Sequence, residues 1–131
     1  MHVEMSFPGG LRVDTEIKGF TIETDQPEKV GGGGSAPAPF DLFLASLGTC
    51  AGLYVLQFCK KRDIDTSQLG VLMETFKDPD TRHIVTIRFD VRLPEGFPEK
   101  YIPAVERAVH QCTVKRHILE PPEFVVEAKI L

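Results

Sequence analysis

The chain has 131 residues, 42% of them hydrophobic, with 15 basic against 19 acidic side chains and a formal net charge of −4. That length supports one domain with one core. The acidic balance, with no tryptophan and two tyrosines, supplies neither the basic patch nor the stacking platform of a nucleic-acid-binding protein, so none is expected as a partner.

In Met1 to Phe7, apolar Met1, Val3, Met5 and Phe7 alternate with polar His2, Glu4 and Ser6. This is the period-2 pattern of a half-buried strand. Pro8-Gly9-Gly10 turns the chain, and Leu11 to Ile17 alternates again, with Leu11, Val13, Thr15 and Ile17 on one side and Arg12, Asp14 and Glu16 on the other. Lys18-Gly19 signals a tight turn into a third short strand, Phe20 to Thr24, completing an antiparallel meander.

From Asp25 to Ala38 the hydrophobic periodicity stops, and Gly31-Gly32-Gly33-Gly34-Ser35 lies in the middle of the stretch. A glycine run loses much backbone entropy on ordering, so a mobile connection is expected. It lacks the lysine followed by serine or threonine that completes a phosphate-binding loop.

Pro39 to Arg62 is the longest apolar segment and holds two of the three cysteines. Pro39 suits a first helical position, Asp41 complements the positive end of the macrodipole, and Lys60, Lys61 and Arg62 complement the other. The result is a helix of about six turns. It is apolar nearly all round, and therefore expected to be a long central helix enclosed by protein. A membrane span needs roughly 20 mostly apolar residues, but Asp41, Gln57 and the patch Ser46-Leu47-Gly48-Thr49 weigh against it. The first residues show no basic-then-apolar leader pattern. The expected compartment is the cytoplasm, with no membrane partner.

Leu69 to Phe76 and Ile84 to Arg92 form a hairpin around Asp78-Pro79-Asp80, with Val85, Ile87, Phe89 and Val91 marking the dry face of its second arm. Ile102, Val105, Ala108, Val109 and Cys112 recur at helical spacing, with Pro103 tolerable in the first turn. Thr113 to Leu119 forms a further short helix, and Pro121-Pro122 precedes a last strand from Glu123 to Ile130. Strands in groups, separated by helices, indicate an α+β domain with helices on one face of an antiparallel sheet of about six strands.

Three cysteines are an odd count, too few for a secreted disulfide scaffold. Cys50 and Cys59, nine residues apart on one helix, face opposite ways and lie about 14 Å apart along the axis. They cannot pair with each other. Cys59 reads as a small buried hydrophobe. Cys50 shares its face with Phe43, Leu47, Tyr54 and Gln57, beside Gly48, whose cost of ~1 kcal/mol within a helix implies close packing or binding there. Cys112 stands at a helix junction in His110-Gln111-Cys112-Thr113-Val114-Lys115-Arg116-His117, where a helix start and cations favour a thiolate. A metal set of His110, Cys112 and His117 has no CxxC or HExxH spacing behind it, and no metal or cofactor is expected.

From Pro39 through Ser46-Leu47-Gly48-Thr49-Cys50, and again at Cys112-Thr113-Val114, the sequence resembles the OsmC/Ohr family. The resemblance covers almost the whole chain. It implies an intertwined homodimer and thiol-based reduction of organic hydroperoxides, with an external dithiol as reductant. It casts Cys50 as the thiolate that attacks the peroxide, Cys112 as the resolving thiol and Arg12, after Pro8-Gly9-Gly10-Leu11, as the arginine that holds the thiolate. Where the peroxidase branches carry a glutamate paired with that arginine, this sequence has Phe40, followed by Asp41. A second reading is a noncatalytic module of the same fold that binds a small apolar molecule at the dimer interface, with Cys50 as a packing residue. A structural dimer without a ligand is the third.

Overall fold

The computed structural model describes residues 1–130. Its elements are β1 (Met5–Gly9), β2 (Arg12–Ile17), β3 (Phe20–Ile22), α1 (Pro39–Lys60), β4 (Gly70–Lys77), β5 (Ile84–Arg92), α2 (Ile102–His110) and α3 (Thr113–Leu119), with single 3-10 turns at Glu28–Val30 and Glu99–Tyr101. The architecture is α+β, with three α-helices and two antiparallel sheets, β1-β2-β3 and β4-β5. Contacts divide the chain into two compact units, Met1–Ala45 and Ser46 onward, with α1 beginning in the first and continuing through the second.

In the first unit, Lys18 and Gly19 both have positive φ, 51° and 84°. This is the two-residue primed turn that matches the twist of paired strands, and it sets Ile17 opposite Phe20. β1 starts at Met5, later than the alternation suggests, and all five of its residues are exposed. The supposedly wet side of β2 contains a buried residue, Asp14. Its carboxylate tolerates burial because Arg12 and the Thr24 N–H both donate to it.

The segment expected to be mobile is a closed hydrogen-bonded loop. Buried Asp25 accepts from Gln26 N–H at 2.7 Å, Ser35 N–H at 3.0 Å, Ser35 Oγ at 2.7 Å and Gly33 N–H at 3.4 Å. Gly34 N–H returns to Gln26 O at 3.0 Å. Glycine is required at position 32, where a Cβ would come within 1.9 Å of Gln26 O. The glycines thus allow backbone to pack on backbone, and one carboxylate supplies the acceptors that the run itself lacks.

The start of α1 is closed locally: Ala38 N–H donates to the Asp41 carboxylate at 3.2 Å, and Asp41 N–H to Ala38 O at 2.9 Å. This reciprocal arrangement satisfies donors that a helix start leaves open.

In the second unit the core gathers Ala51, Val55, Phe58 and Cys59 of α1 with Val105 and Val109 of α2. Val71, Phe89 and Val91 of the β4-β5 hairpin pack against this cluster. Cross-strand register places Val71 opposite Val91 and Met73 opposite Phe89. The hairpin turn is held by Asp78, whose Oδ1 accepts from Asp80 N–H and Thr81 N–H at 2.9 and 2.8 Å.

Two expectations about the core are corrected. α1 is not enclosed within one chain: only the stripe Leu47, Ala51, Val55, Phe58 and Cys59 is buried, while Phe40, Phe43 and Leu53 are exposed. It has the length and apolar composition to cross a membrane, yet that stripe belongs to the core of the unit. The described residues form five strands rather than about six, because Glu123–Ile130 has no strand pairing. A strand needs a neighbour for its ladder, and Phe124 and Ile130 stand 84% and 101% exposed. Gly48 also differs from expectation, since a Cβ there would meet Met73 Sδ at an ordinary 3.8 Å.

Candidate functional site: a thiol pair at the start of helix α3

Cys50 lies on α1 one turn beyond Leu47 and one turn before Tyr54, a spacing that puts all three near one helix face. Leu47 is buried in the unit, and Cys50 is half-buried. Cys112 is the buried residue between α2 and α3, where Val109, anchored in the core, fixes the end of α2. These two thiols come together in the fold, and neither is in a disulfide.

The environment separates their acidities. Burial opposes ionisation of Cys50, but Val114 N–H, the Cys112 thiol and Thr113 N–H act as donors to its sulfur and bring its pKa below the ordinary thiol value. Burial raises the pKa of Cys112, and its role as donor to Cys50 raises it further, against the backbone N–H groups of Lys115 and Val114. Cys59 sits fully buried on the other side of α1, where desolvation raises its pKa despite nearby Arg62. That matches a packing residue.

Arg12 belongs to the first unit. Its Nη2 donates to Asp14 Oδ2 at 2.6 Å and to Glu23 Oε1 at 3.1 Å, while its Nε is buried with no partner among the described residues. The charge of Asp14 is the main cause of its raised pKa, opposed by desolvation and aided by Glu23. Phe40 stacks on Phe43 with centroids 5.5 Å apart, and Asp41 is engaged by the Ala38 N–H. The carboxylates on this arginine are thus Asp14 and Glu23. Sequence reasoning does not single them out, although Arg12 and Asp14, two apart on a strand, share a face.

Tyr54 and Thr113 also gain significance only in three dimensions: Tyr54 Oη and Thr113 Oγ1 are 3.1 Å apart although 59 residues separate them. The cationic side chains near Cys112 have partners of their own, Lys115 Nζ at His110 Nδ1 and His117 Nδ1 donating to Thr113 O at 2.8 Å. A cavity of about 390 Å³ is lined by Leu47, Ile87, Phe89, Val91, Ile118 and Leu119, with Glu106, His110 and Lys115 among its polar groups. Neither Cys50 nor Cys112 lines it, though Leu47 and Lys115 are each three residues from one of them.

The model of the family described as OsmC-like protein matches residues 32–127, which span α1 and all three cysteines. The chain belongs to the OsmC-like family. No curated protein matches it. Among solved structures, it is similar to a putative osmotic stress induced and detoxification response protein from Psychrobacter arcticus, with 20% identity over 87% of this chain and 85% of that one and a TM-score of 0.71. An OsmC-like protein from Mycoplasma pneumoniae shares 12% identity over 92% and 87% of the two chains, with a TM-score of 0.66. A putative organic hydroperoxide resistance protein from Vibrio cholerae, with captopril bound in one of its active sites, shares 16% identity over 90% and 84%, with a TM-score of 0.60. At these identities the likeness is one of fold. Osmotic stress and detoxification response and hydroperoxide resistance are the roles for which two of those neighbours are named.

Proposed function

We propose that this OsmC-like chain is a thiol-dependent peroxidase that reduces organic hydroperoxides. The observation that carries the reading is the meeting of two thiols distant in sequence, with the Cys112 thiol and the Val114 and Thr113 N–H groups all donating to the Cys50 sulfur. The Cys50 thiolate attacks the outer peroxide oxygen, the O–O bond breaks, and the alkoxide leaves and takes a proton as alcohol. Cys50 is then a sulfenic acid. Cys112, whose thiol proton goes to the departing hydroxyl, forms the disulfide and releases water. An external dithiol donates two electrons and two protons to restore both thiols. The family resemblance assigns the role of holding the thiolate to Arg12, whose guanidinium donates to Asp14 and Glu23.

The working unit in this reading is an intertwined homodimer. Phe40, Phe43 and Leu53 on α1 and Phe124, Val126 and Ile130 of the carboxyl-terminal segment present apolar surface that one chain leaves in water, and a second copy is the partner that would cover it. Sedimentation should give the dimer mass at micromolar protein, and a monomer would overturn this part. This reading puts the protein in a reducing compartment, the cytoplasm, which the odd count of three cysteines supports.

The test is hydroperoxide consumption in the presence of a dithiol, with hydrogen peroxide for comparison. Cys50→Ser should abolish turnover, and Cys112→Ser should stop after one oxidation with a trappable sulfenic acid. If Cys50 stays reduced under excess organic hydroperoxide, the reading fails. The cavity of about 390 Å³ with apolar walls favours the second reading in that event, a noncatalytic module for a small apolar molecule.

A further inference from the structure

The donors on the Cys50 sulfur come from a helix of only seven residues. So short a helix has little stability of its own and must be held by contacts. Val114 and Lys115 are half-buried and Thr113 is exposed. Thr113 is the residue whose own N–H faces Cys50, and its side chain reaches α1 through the Tyr54 hydroxyl at 3.1 Å. Tyr54 in turn is one turn beyond Cys50, on a helix fixed by the buried neighbours Ala51 and Val55. The acceptor and its donors are thereby tied together across 59 residues of sequence.

We propose that Tyr54 is a positioning residue of the thiol site: its hydroxyl clamps Thr113, and the clamp keeps the Thr113 and Val114 N–H groups and the Cys112 thiol on the Cys50 sulfur. The proposal deepens the peroxidase reading and rests on it for its biological use, though not for its geometry. Without the clamp the first turn of α3 is freer to rotate away from α1. Cys50 then loses part of its donor set, and Cys112 loses the alignment that lets it close on an oxidised Cys50. The groups acting on Cys50 from the α2-α3 junction are the N–H groups of Val114 and Thr113 and the Cys112 thiol, the last being the one that titrates. His117 is engaged with the Thr113 carbonyl rather than with a sulfur.

The experiment uses reduced full-length protein and measures the rate of Cys50 alkylation by iodoacetamide against pH, with the labelled cysteine identified by peptide mass. Tyr54→Phe keeps the ring and removes the hydroxyl. It should move the midpoint of the profile upward and slow alkylation at neutral pH roughly two- to five-fold, the share of one lost hydrogen bond transmitted to the thiolate. Thr113→Val should do the same, Thr113→Ser should retain the wild-type profile, and the double variant Tyr54→Phe/Thr113→Val should shift no further than either single one. A purely structural role would change thermal stability without moving the alkylation midpoint. An unchanged midpoint in Tyr54→Phe, or additive shifts in the double variant, overturns the clamp. Because the assay contains no peroxide, absence of hydroperoxide turnover counts against the peroxidase reading alone, and an unmoved midpoint counts against the clamp alone.

Discussion

Oxidation of the thiol pair should stabilise this protein by an amount calculable from its topology. A bond between Cys50 and Cys112 closes a loop of about 62 residues, and in the chain-entropy model a loop of that length takes roughly 4 kcal/mol of stabilisation from restricting the unfolded chain. Native-state strain would lower this figure, but the two thiols are already neighbours in the reduced fold, so the bond forms with little rearrangement. At this chain length ~4 kcal/mol corresponds to a rise of roughly 15 °C in Tm. The assay is differential scanning fluorimetry at fixed protein concentration, before and after one equivalent of an organic hydroperoxide, with peptide mass spectrometry to locate the crosslink. Cys112→Ser, which stops at the sulfenic acid, should show no comparable rise. A Cys50 to Cys112 crosslink at full occupancy with Tm essentially unmoved would refute the reasoning. It would mean that the bond strains the start of α3 by as much as it restricts the unfolded chain.

Cys59→Ser should leave hydroperoxide turnover near wild type, since Cys59 is fully buried on the opposite face of α1, while lowering stability by about 1–3 kcal/mol for a hydroxyl enclosed among apolar neighbours; denaturant unfolding and the peroxidase assay together check both halves. The loop around Asp25 should be acid-sensitive in a defined direction. Hydrogen bonds from the Ser35 side chain and backbone, and from Gln26 N–H, lower the Asp25 pKa from 3.8 to about 2. Folding therefore favours the carboxylate, and its contribution is complete above the unfolded value near 3.8 and disappears as pH falls through about 2. Amide exchange at Gly33 and Ser35 should accelerate over that window relative to the core amides of Val55 and Val105, and uniform acceleration would show that the carboxylate does not hold the loop.

Periodicity and turn chemistry alone were enough to place the meander, the long helix, the hairpin and the two later helices, because each is set by interactions within a few residues. Lys18-Gly19, Pro39 with Asp41, and Asp78 with Thr81 all act in the fold as local chemistry dictates. The opposite faces of Cys50 and Cys59 follow from helical rotation, and the pairing of Cys50 with Cys112 follows from resemblance to the family, not from spacing. What local rules cannot supply is a partner distant in sequence. The glycine run reads as mobile because its organising acceptor, Asp25, lies outside it and acts through several donors at once. Asp14 reads as solvent-facing because burial of a carboxylate depends on Arg12 and Thr24 being in place around it. Glu123–Ile130 reads as a strand from its composition, but strand formation is decided by an available edge, which this segment does not find among the described residues. Apolar character all round α1 likewise signals burial without saying by what, and one chain buries a single stripe of it. Thiol acidity is the extreme case: the residue types were visible, but the sign of each shift depends on which backbone N–H groups aim at which sulfur, a matter of tertiary geometry.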